Sequence, residues 1–180
     1  MKLGIPALLL LLTIPATGRA AETAHDVETD HVDAFDDGGP RTFGLLTNPA
    51  GMLLGVFGAE GDLVLGDTAA VSAEADLLAF GGATAYAAAL GLPMYPMRVP
   101  FHGFVVHPRV SLARATSEGA TVDLAGVIAT LGWQWTLPAG LSMRVGAGVR
   151  FDRAIGGDPD AGAALEGLHP VADGSVGWVF

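Results

Sequence analysis

The sequence predicts an all-β fold, an eight-stranded antiparallel transmembrane β-barrel with up-and-down topology. The first observation is an alternation of apolar and polar residues with a period of two over most of the chain. The second is strand length: many predicted strands exceed the usual length of about five or six residues, and a tilted strand needs ~9–11 residues to cross a bilayer. The third is the alternation of short turns with longer polar loops, which is typical of outer-membrane barrels.

The first twenty residues, "MKLGIPALLLLLTIPATGRA", predict a cleaved signal peptide over 1–20. Lys2 provides the basic start, 7–14 form the apolar core, and Gly18 and Ala20 stand at the −3 and −1 positions of the cut. The apolar run is shorter than the ~20 residues of a membrane-spanning helix. We therefore expect an exported protein.

Residues 21–41 predict an acidic, disordered leader, because like charges repel and the segment has few apolar residues. His25 and His31 lie among its carboxylates, so a divalent metal site is conceivable there. A solvated leader is the better interpretation, and we expect no metal and no cofactor. The carboxylates are Glu22, Asp26, Glu28, Asp30, Asp33, Asp36 and Asp37.

The alternation is clearest at 141–151, where one face is apolar and the other carries Arg144 and Arg150. On a helix these arginines would spread around the cylinder, whereas on a strand they point the same way. Residues 125–136 repeat the pattern, and "LPAG" at 137–140 predicts a tight turn between the two segments. The pair is predicted to form a long β-hairpin.

Extending the pattern predicts a barrel over 42–180. The clear strands number seven: 52–65, 68–80, 84–97, 101–115, 121–137, 140–154 and 167–180. Short turns are predicted at 65–68, 97–100 and 137–140, and longer loops at 115–121 and 152–167. A bacterial barrel normally has an even number of strands, so we predict a further strand near 42–49 with a tight bend at Asn48 and Pro49.

Charged residues share one face of the predicted strands. An arginine facing hydrocarbon costs roughly 2–4 kcal/mol at the bilayer midplane, so this face is predicted to line the lumen. Buried charges need partners, and acids from early strands can meet arginines from later ones. The predicted lumen charge network comprises Glu60, Asp62, Glu74, Asp76, Arg109, Arg144 and Arg150, with Asp152 as a further candidate. A catalytic or ion-conducting constellation is the less favoured alternative.

Four aromatic residues predict an interfacial girdle at the periplasmic end. Trp133 and Trp135 precede the turn at 137–140, Tyr95 precedes the turn at 97–100, and Trp178 stands two residues before Phe180. Aromatic side chains prefer the membrane–water boundary. A soluble core would not sort its tryptophans toward one end.

The sequence resembles the family of small eight-stranded outer-membrane β-barrel proteins. The similarity rests on the signal peptide, "LTNPAGMLLGVFGAEGDLVLGD", the Gly-rich alternating strands and the terminal "GSVGWVF". Trp178 and Phe180 are similar to the C-terminal signal that barrel-assembly machinery recognises in this family. The resemblance implies insertion into the outer membrane but no particular activity.

The composition of the chain limits the classes of partner that it can bind. The formal net charge of −10 and the lack of a basic patch disfavour nucleic acid. Without cysteine there is no disulfide framework and no thiolate metal site. We expect a monomer whose partners are outer-membrane lipid and, during biogenesis, the assembly machinery.

The favoured function is therefore a structural or surface-exposed, non-catalytic protein of the bacterial outer membrane. One alternative is a lipid-modifying enzyme, for which His102, His107 and His169 are the available bases and Ser111 and Ser175 the nearby hydroxyls. Another is a soluble periplasmic barrel that binds a small apolar ligand, with its apolar faces turned inward. A wide pore is disfavoured because side chains fill the interior of an eight-stranded barrel.

Overall fold

The computed structural model describes residues 40–180; the predicted signal peptide, most of the leader, and His25 and His31 lie outside these residues. Eight antiparallel strands, each paired with its sequence neighbours, form a closed barrel, because β8 also pairs with β1. This confirms the all-β barrel and the predicted first strand. The strands are β1 (Phe43–Thr47), β2 (Val56–Gly66), β3 (Ala69–Phe80), β4 (Ala83–Gly91), β5 (Gly103–Ser117), β6 (Ala120–Thr136), β7 (Leu141–Gly157) and β8 (Gly167–Val179).

Two short helices interrupt the strand pattern at one end of the barrel, which we call the helix end. α1 (Pro49–Leu53) joins β1 to β2, and α2 (Pro159–Leu165) joins β7 to β8. The opposite end holds the start of β1 and the finish of β8, and we call it the terminus end. Neither helix is long and apolar enough to cross a membrane.

The predicted bend at Asn48 and Pro49 is α1 in the structure, so β2 begins at Val56 rather than at 52. The Asn48 side chain accepts a hydrogen bond from the Gly51 amide at 2.7 Å, and Pro49 occupies the first turn. Both features favour the start of a helix. The sequence prediction missed it because the apolar run after Pro49 was assigned to the start of the next strand.

The pairing register sets the tilt of the strands. Paired residues can be followed round the barrel from Leu45 on β1 to Leu168 on β8. The β8 partner of Leu45 is instead Trp178, so the path returns 178 − 168 = 10 residues out of step. For eight strands ~4.8 Å apart with a rise of ~3.3 Å per residue, this shear gives a tilt of about 40°.

The β4–β5 connection closes the terminus end. β4 was predicted to continue to 97 but ends at Gly91, and residues 92–102 turn into the barrel. Backbone hydrogen bonds fix this plug: Tyr95 N donates to Thr68 O at 2.7 Å, and Ala70 N donates to Pro93 O at 2.9 Å. The buried rings of Tyr95 and Phe101 pack edge to face, with centroids 6.2 Å apart.

The assignment of Tyr95 to the outward girdle is wrong. Its side chain is fully buried, and its hydroxyl donates a hydrogen bond to Gln134 Oε1 at 3.2 Å. Burial raises the pKa of the phenol, and the nearby Asp62 carboxylate raises it further, so the ring stays neutral. The error arose because residues 92–97 form a continuous apolar run that was assigned to the strand, although its two prolines favour a break.

Arg41 belongs to the range predicted as the leader, yet it contacts the barrel. Its guanidinium donates to the carbonyl oxygens of Leu137 and Pro138, at 3.2 and 2.8 Å. These bonds hold the chain before β1 against the β6–β7 turn, which occupies 137–140 as predicted.

Replacing Tyr95 with alanine should destabilise the barrel by about 3–5 kcal/mol, because it removes a fully buried aromatic ring from the plug. Tyr95→Phe keeps the ring and should lose only about 1 kcal/mol with the hydrogen bond to Gln134. The measurement is urea unfolding of the refolded barrel followed by tryptophan fluorescence. The exposed Tyr86 on β4 provides the control: a loss in Tyr86→Ala as large as that in Tyr95→Ala contradicts the assigned plug.

Candidate functional site

The barrel interior is polar and charged through its middle. On β6 and β7 the even-numbered side chains point inward and the odd-numbered ones outward, as the burial alternation shows. All seven residues of the predicted network lie on inward faces. Asp152 and Asp173 join them. We call these nine residues the lumen network: Glu60, Asp62, Glu74, Asp76, Arg109, Arg144, Arg150, Asp152 and Asp173.

Arg144 is the most deeply buried cation of the network. Its side chain on β7 is 2% exposed and reaches across the lumen to β2, where it forms an ion pair with Glu60. Its second terminal nitrogen lies 3.5 Å from Asp62 Oδ2. Because Asp62 is fully buried, Arg144 is shared between two desolvated carboxylates.

Arg109 connects its own strand, β5, with two other strands. Its terminal nitrogens donate to Glu74 on β3 at 3.0 Å and to Asp173 on β8 at 3.1 Å. Sequence reasoning missed Asp173, although the signal was present. Trp178 and Val176 face outward, so the period of two places Asp173 with Ser175 on the inward face.

The three remaining members of the network are Arg150, Asp152 and Asp76. Arg150 and Asp152 pair with each other along β7, with nitrogen–oxygen distances of 2.8 and 2.6 Å. The Asp76 carboxylate occupies the space where a side chain on Gly58, its cross-strand partner, would lie. The six carboxylates outnumber the three guanidinium groups, which gives a formal lumen charge of 3 − 6 = −3 with His107 neutral.

His107 lies in the lumen with Ser72, not with Ser111 as the sequence spacing suggested. Ser72 Oγ is 2.9 Å from His107 Nε2, and Glu60 Oε1 is 3.9 Å from the same nitrogen. Gly91 makes this contact possible, because a Cβ there would collide with His107, Ser72 and Arg109.

This arrangement does not assemble a hydrolytic triad. A triad needs a carboxylate at the other ring nitrogen, and His107 Nδ1 has no hydrogen bond among residues 40–180. Both His107 and Ser72 are buried. His102 lies at the end of the plug, and His169 contacts Leu165 O at the helix end, so the three histidines are far apart in the fold.

An apolar cluster closes the lumen at the terminus end, whereas the helix end stays partly open to solvent. At the terminus end Tyr95, Phe101, Val105 and Val179 form a buried cluster. At the helix end Val122 and Leu124 are buried, but the inward side chains of Glu74 and Arg150 are 22% and 28% exposed, so solvent reaches the charges from this side. The charged layer therefore braces the barrel from within and leaves no wide channel.

The outer face has the opposite polarity. Among residues 40–180, thirty large hydrophobic side chains are exposed, whereas nine hydrophobic residues are buried. Trp133, Trp135 and Trp178 are 39%, 41% and 54% exposed, and all three lie toward the terminus end. A polar set lies toward the helix end: Arg114, which binds Asp123 through two nitrogens at 2.7 and 3.0 Å, and the exposed Arg153.

Barrel geometry gives the height of this apolar band. At a tilt of ~40°, each residue along a strand rises ~2.5 Å along the barrel axis, and each step to the next strand along a row of paired residues rises ~3.1 Å. From Ala125 to Trp135 there are 135 − 125 = 10 steps, or about 25 Å. The same arithmetic places Arg114 and Arg153 within about 2 Å of each other in height, at the upper edge of the band.

No protein-family model, no curated protein and no solved structure matches this chain. Within residues 40–180, no group of three or more histidine or carboxylate side chains is arranged to hold a metal ion. The similarity to small outer-membrane barrels thus rests on the sequence motifs quoted above.

Replacing Arg144 with methionine should destabilise the barrel by about 3–5 kcal/mol, because it leaves Glu60 and Asp62 buried without their cation. Adding Glu60→Gln to Arg144→Met should recover part of the loss, so the double variant is more stable than the sum of the single effects implies. Urea unfolding of the wild type, Arg144→Met, Glu60→Gln and the double variant measures this coupling.

Arg114→Met is the matched control, since Arg114 forms its ion pair on the exposed outer face. We expect it to change stability little, because solvent screens exposed pairs. Equal losses in the Arg144 and Arg114 variants would contradict the buried position of Arg144.

Proposed function

We propose that the chain is an integral protein of the bacterial outer membrane with a structural or surface-exposed, non-catalytic role. The observation that carries this proposal is the inverted polarity of the barrel: the charges lie inside and the large apolar side chains outside. In the membrane, the terminus end of the barrel faces the periplasm and the helix end faces the exterior.

The size of the outer apolar face supports the proposal. Soluble monomers rarely expose contiguous apolar patches larger than a few hundred Å². Here the apolar side chains form a band about 25 Å high, the height of the lipid-facing band in outer-membrane barrels. Contact with lipid tails would remove this surface from water.

The edges of the band also fit a bilayer. The three exposed tryptophans lie at its lower edge, where amphipathic rings favour the headgroup region. Arg114, Asp123 and Arg153 lie at its upper edge, where charged groups can reach water. Two aligned boundaries are expected of a membrane protein and have no purpose on a soluble surface.

The interior disfavours the two alternatives. An apolar ligand has no matching cavity in a lumen filled by carboxylates and guanidinium groups. A lipid-modifying enzyme needs its nucleophile at the rim, and the Ser72–His107 pair is instead enclosed at mid-barrel. Each strand of the closed sheet has two paired neighbours, which favours a monomer surrounded by lipid after delivery by the assembly machinery.

Membrane fractionation tests the proposal directly. We expect the expressed protein in the outer-membrane fraction, with an electrophoretic mobility that changes on heating because the folded barrel resists detergent. Recovery entirely in the aqueous fraction would contradict membrane insertion.

A pair of arginine substitutions tests which face meets lipid. Leu131 points outward near the middle of the band, so Leu131→Arg should lower stability in vesicles by about 2–4 kcal/mol. Thr116 points outward above the band, so Thr116→Arg should cost only ~0–1 kcal/mol. Urea titrations in phospholipid vesicles give both values, and a soluble barrel would tolerate the two substitutions equally.

A further inference from the structure

A groove of about 600 Å³ crosses the outer face of β4–β8. Its floor contains the small residues Gly91, Pro108 and Ala129. Its wall toward the helix end is one row of cross-strand partners, namely Leu90, Val110, Val127, Phe151 and Leu168. The groove exists because small side chains lie beside a row of large ones.

The groove runs obliquely from deep in the apolar band to its upper edge. It spans four strand spacings, or about 19 Å. Rows of paired residues rise ~3.1 Å per strand from β1 to β8, so the groove climbs about 12 Å between β4 and β8. This rise is close to the ~15 Å depth of one leaflet, half of a hydrocarbon core of ~30 Å.

Arg153 lies just beyond the helix-end wall of this groove, next to Phe151. It is two residues beyond Phe151 on the same outward face of β7, and its cross-strand partner on β6 is Ala125. The side chain is exposed and has no hydrogen bond or ion pair within residues 40–180. Arg114 at the same height differs, because Asp123 already neutralises it through two nitrogen–oxygen contacts.

We propose that the groove and Arg153 form a binding site for one anionic, phosphate-bearing lipid of the outer leaflet. One acyl chain lies along the groove, and the phosphate accepts hydrogen bonds from the Arg153 guanidinium. This inference rests on the proposed membrane location. The planar guanidinium matches a phosphate with two parallel hydrogen bonds, and its aliphatic stem can lie on the neighbouring apolar row.

Nearby acids do not occupy this position. Glu166 accepts a hydrogen bond from the Ala154 amide at 2.8 Å, Asp152 points into the lumen toward Arg150, and Asp123 binds Arg114. The Arg153 cation beside the groove therefore remains available to a ligand. One arginine near an anionic lipid surface is worth roughly a fivefold preference, equivalent to ~1 kcal/mol.

Native mass spectrometry of the refolded protein in detergent can measure the preference. The probes are phosphatidylglycerol and phosphatidylcholine with identical acyl chains, titrated separately. We expect the wild-type protein to bind phosphatidylglycerol about fivefold more tightly. Arg153→Gln should reduce this ratio to about one. Excess inorganic phosphate should not displace the lipid, and displacement would overturn the lipid as occupant.

Replacing either of two outward alanines with phenylalanine separates the role of the groove from the role of the charge. Ala129→Phe fills the groove floor and should weaken both lipids, whereas Ala147→Phe, on the outward face of β7 outside the groove, should leave both unchanged. The site is overturned if the wild type binds both lipids equally or if Arg153→Gln keeps the preference. It is also overturned if Ala129→Phe binds both lipids like the wild type.

Membrane fractionation of the wild type and the same variants distinguishes failure of the lipid site from failure of the proposed membrane location. A wild-type protein that fails to enter membranes overturns the proposed function. A protein that enters membranes but shows no preference for the anionic lipid overturns the lipid site alone.

Discussion

The closure of β8 onto β1 with a shear of ten is the constraint on which the rest of the structure depends. Closure gives every strand two hydrogen-bonded neighbours, although the short β1 covers only residues 176–179 of β8. It also fixes a narrow lumen, into which one face of each strand must point. Every side chain is thereby assigned either to a crowded interior or to the outer surface by its parity alone.

The lumen network is the consequence of placing charges on the inward parity. Arg144 and Arg109 reach across the barrel, so each cation links strands that are not neighbours in the sheet. Desolvated ion pairs contribute little net stability compared with an apolar filling, but losing one partner is costly. The network therefore acts as an internal brace, and the plug closes the barrel at the terminus end.

Much of the fold could be predicted because strand periodicity is a local property. The alternation at 141–151 and the turn at 137–140 need only neighbouring residues, and both were correct to within a few positions. The β4–β5 plug could not be predicted, since the apolar run at 92–97 is compatible with a strand that continues across the membrane. The inward turn of this run depends on backbone bonds to Thr68 and on space at the barrel end, which are contacts distant in sequence.

The sequence by itself determined which face of each strand is charged and therefore that the interior is polar, because parity follows from a period of two. Only the tertiary structure decided the partners: Ser72 for His107, Asp173 for Arg109, and two carboxylates for Arg144. The shear sets which residues of different strands lie at the same height along the barrel axis. It is the sum of the pairing registers of all eight strand pairs, so no single segment of sequence determines it. It also decided that Arg114, Asp123 and Arg153 share one level although they lie on different strands.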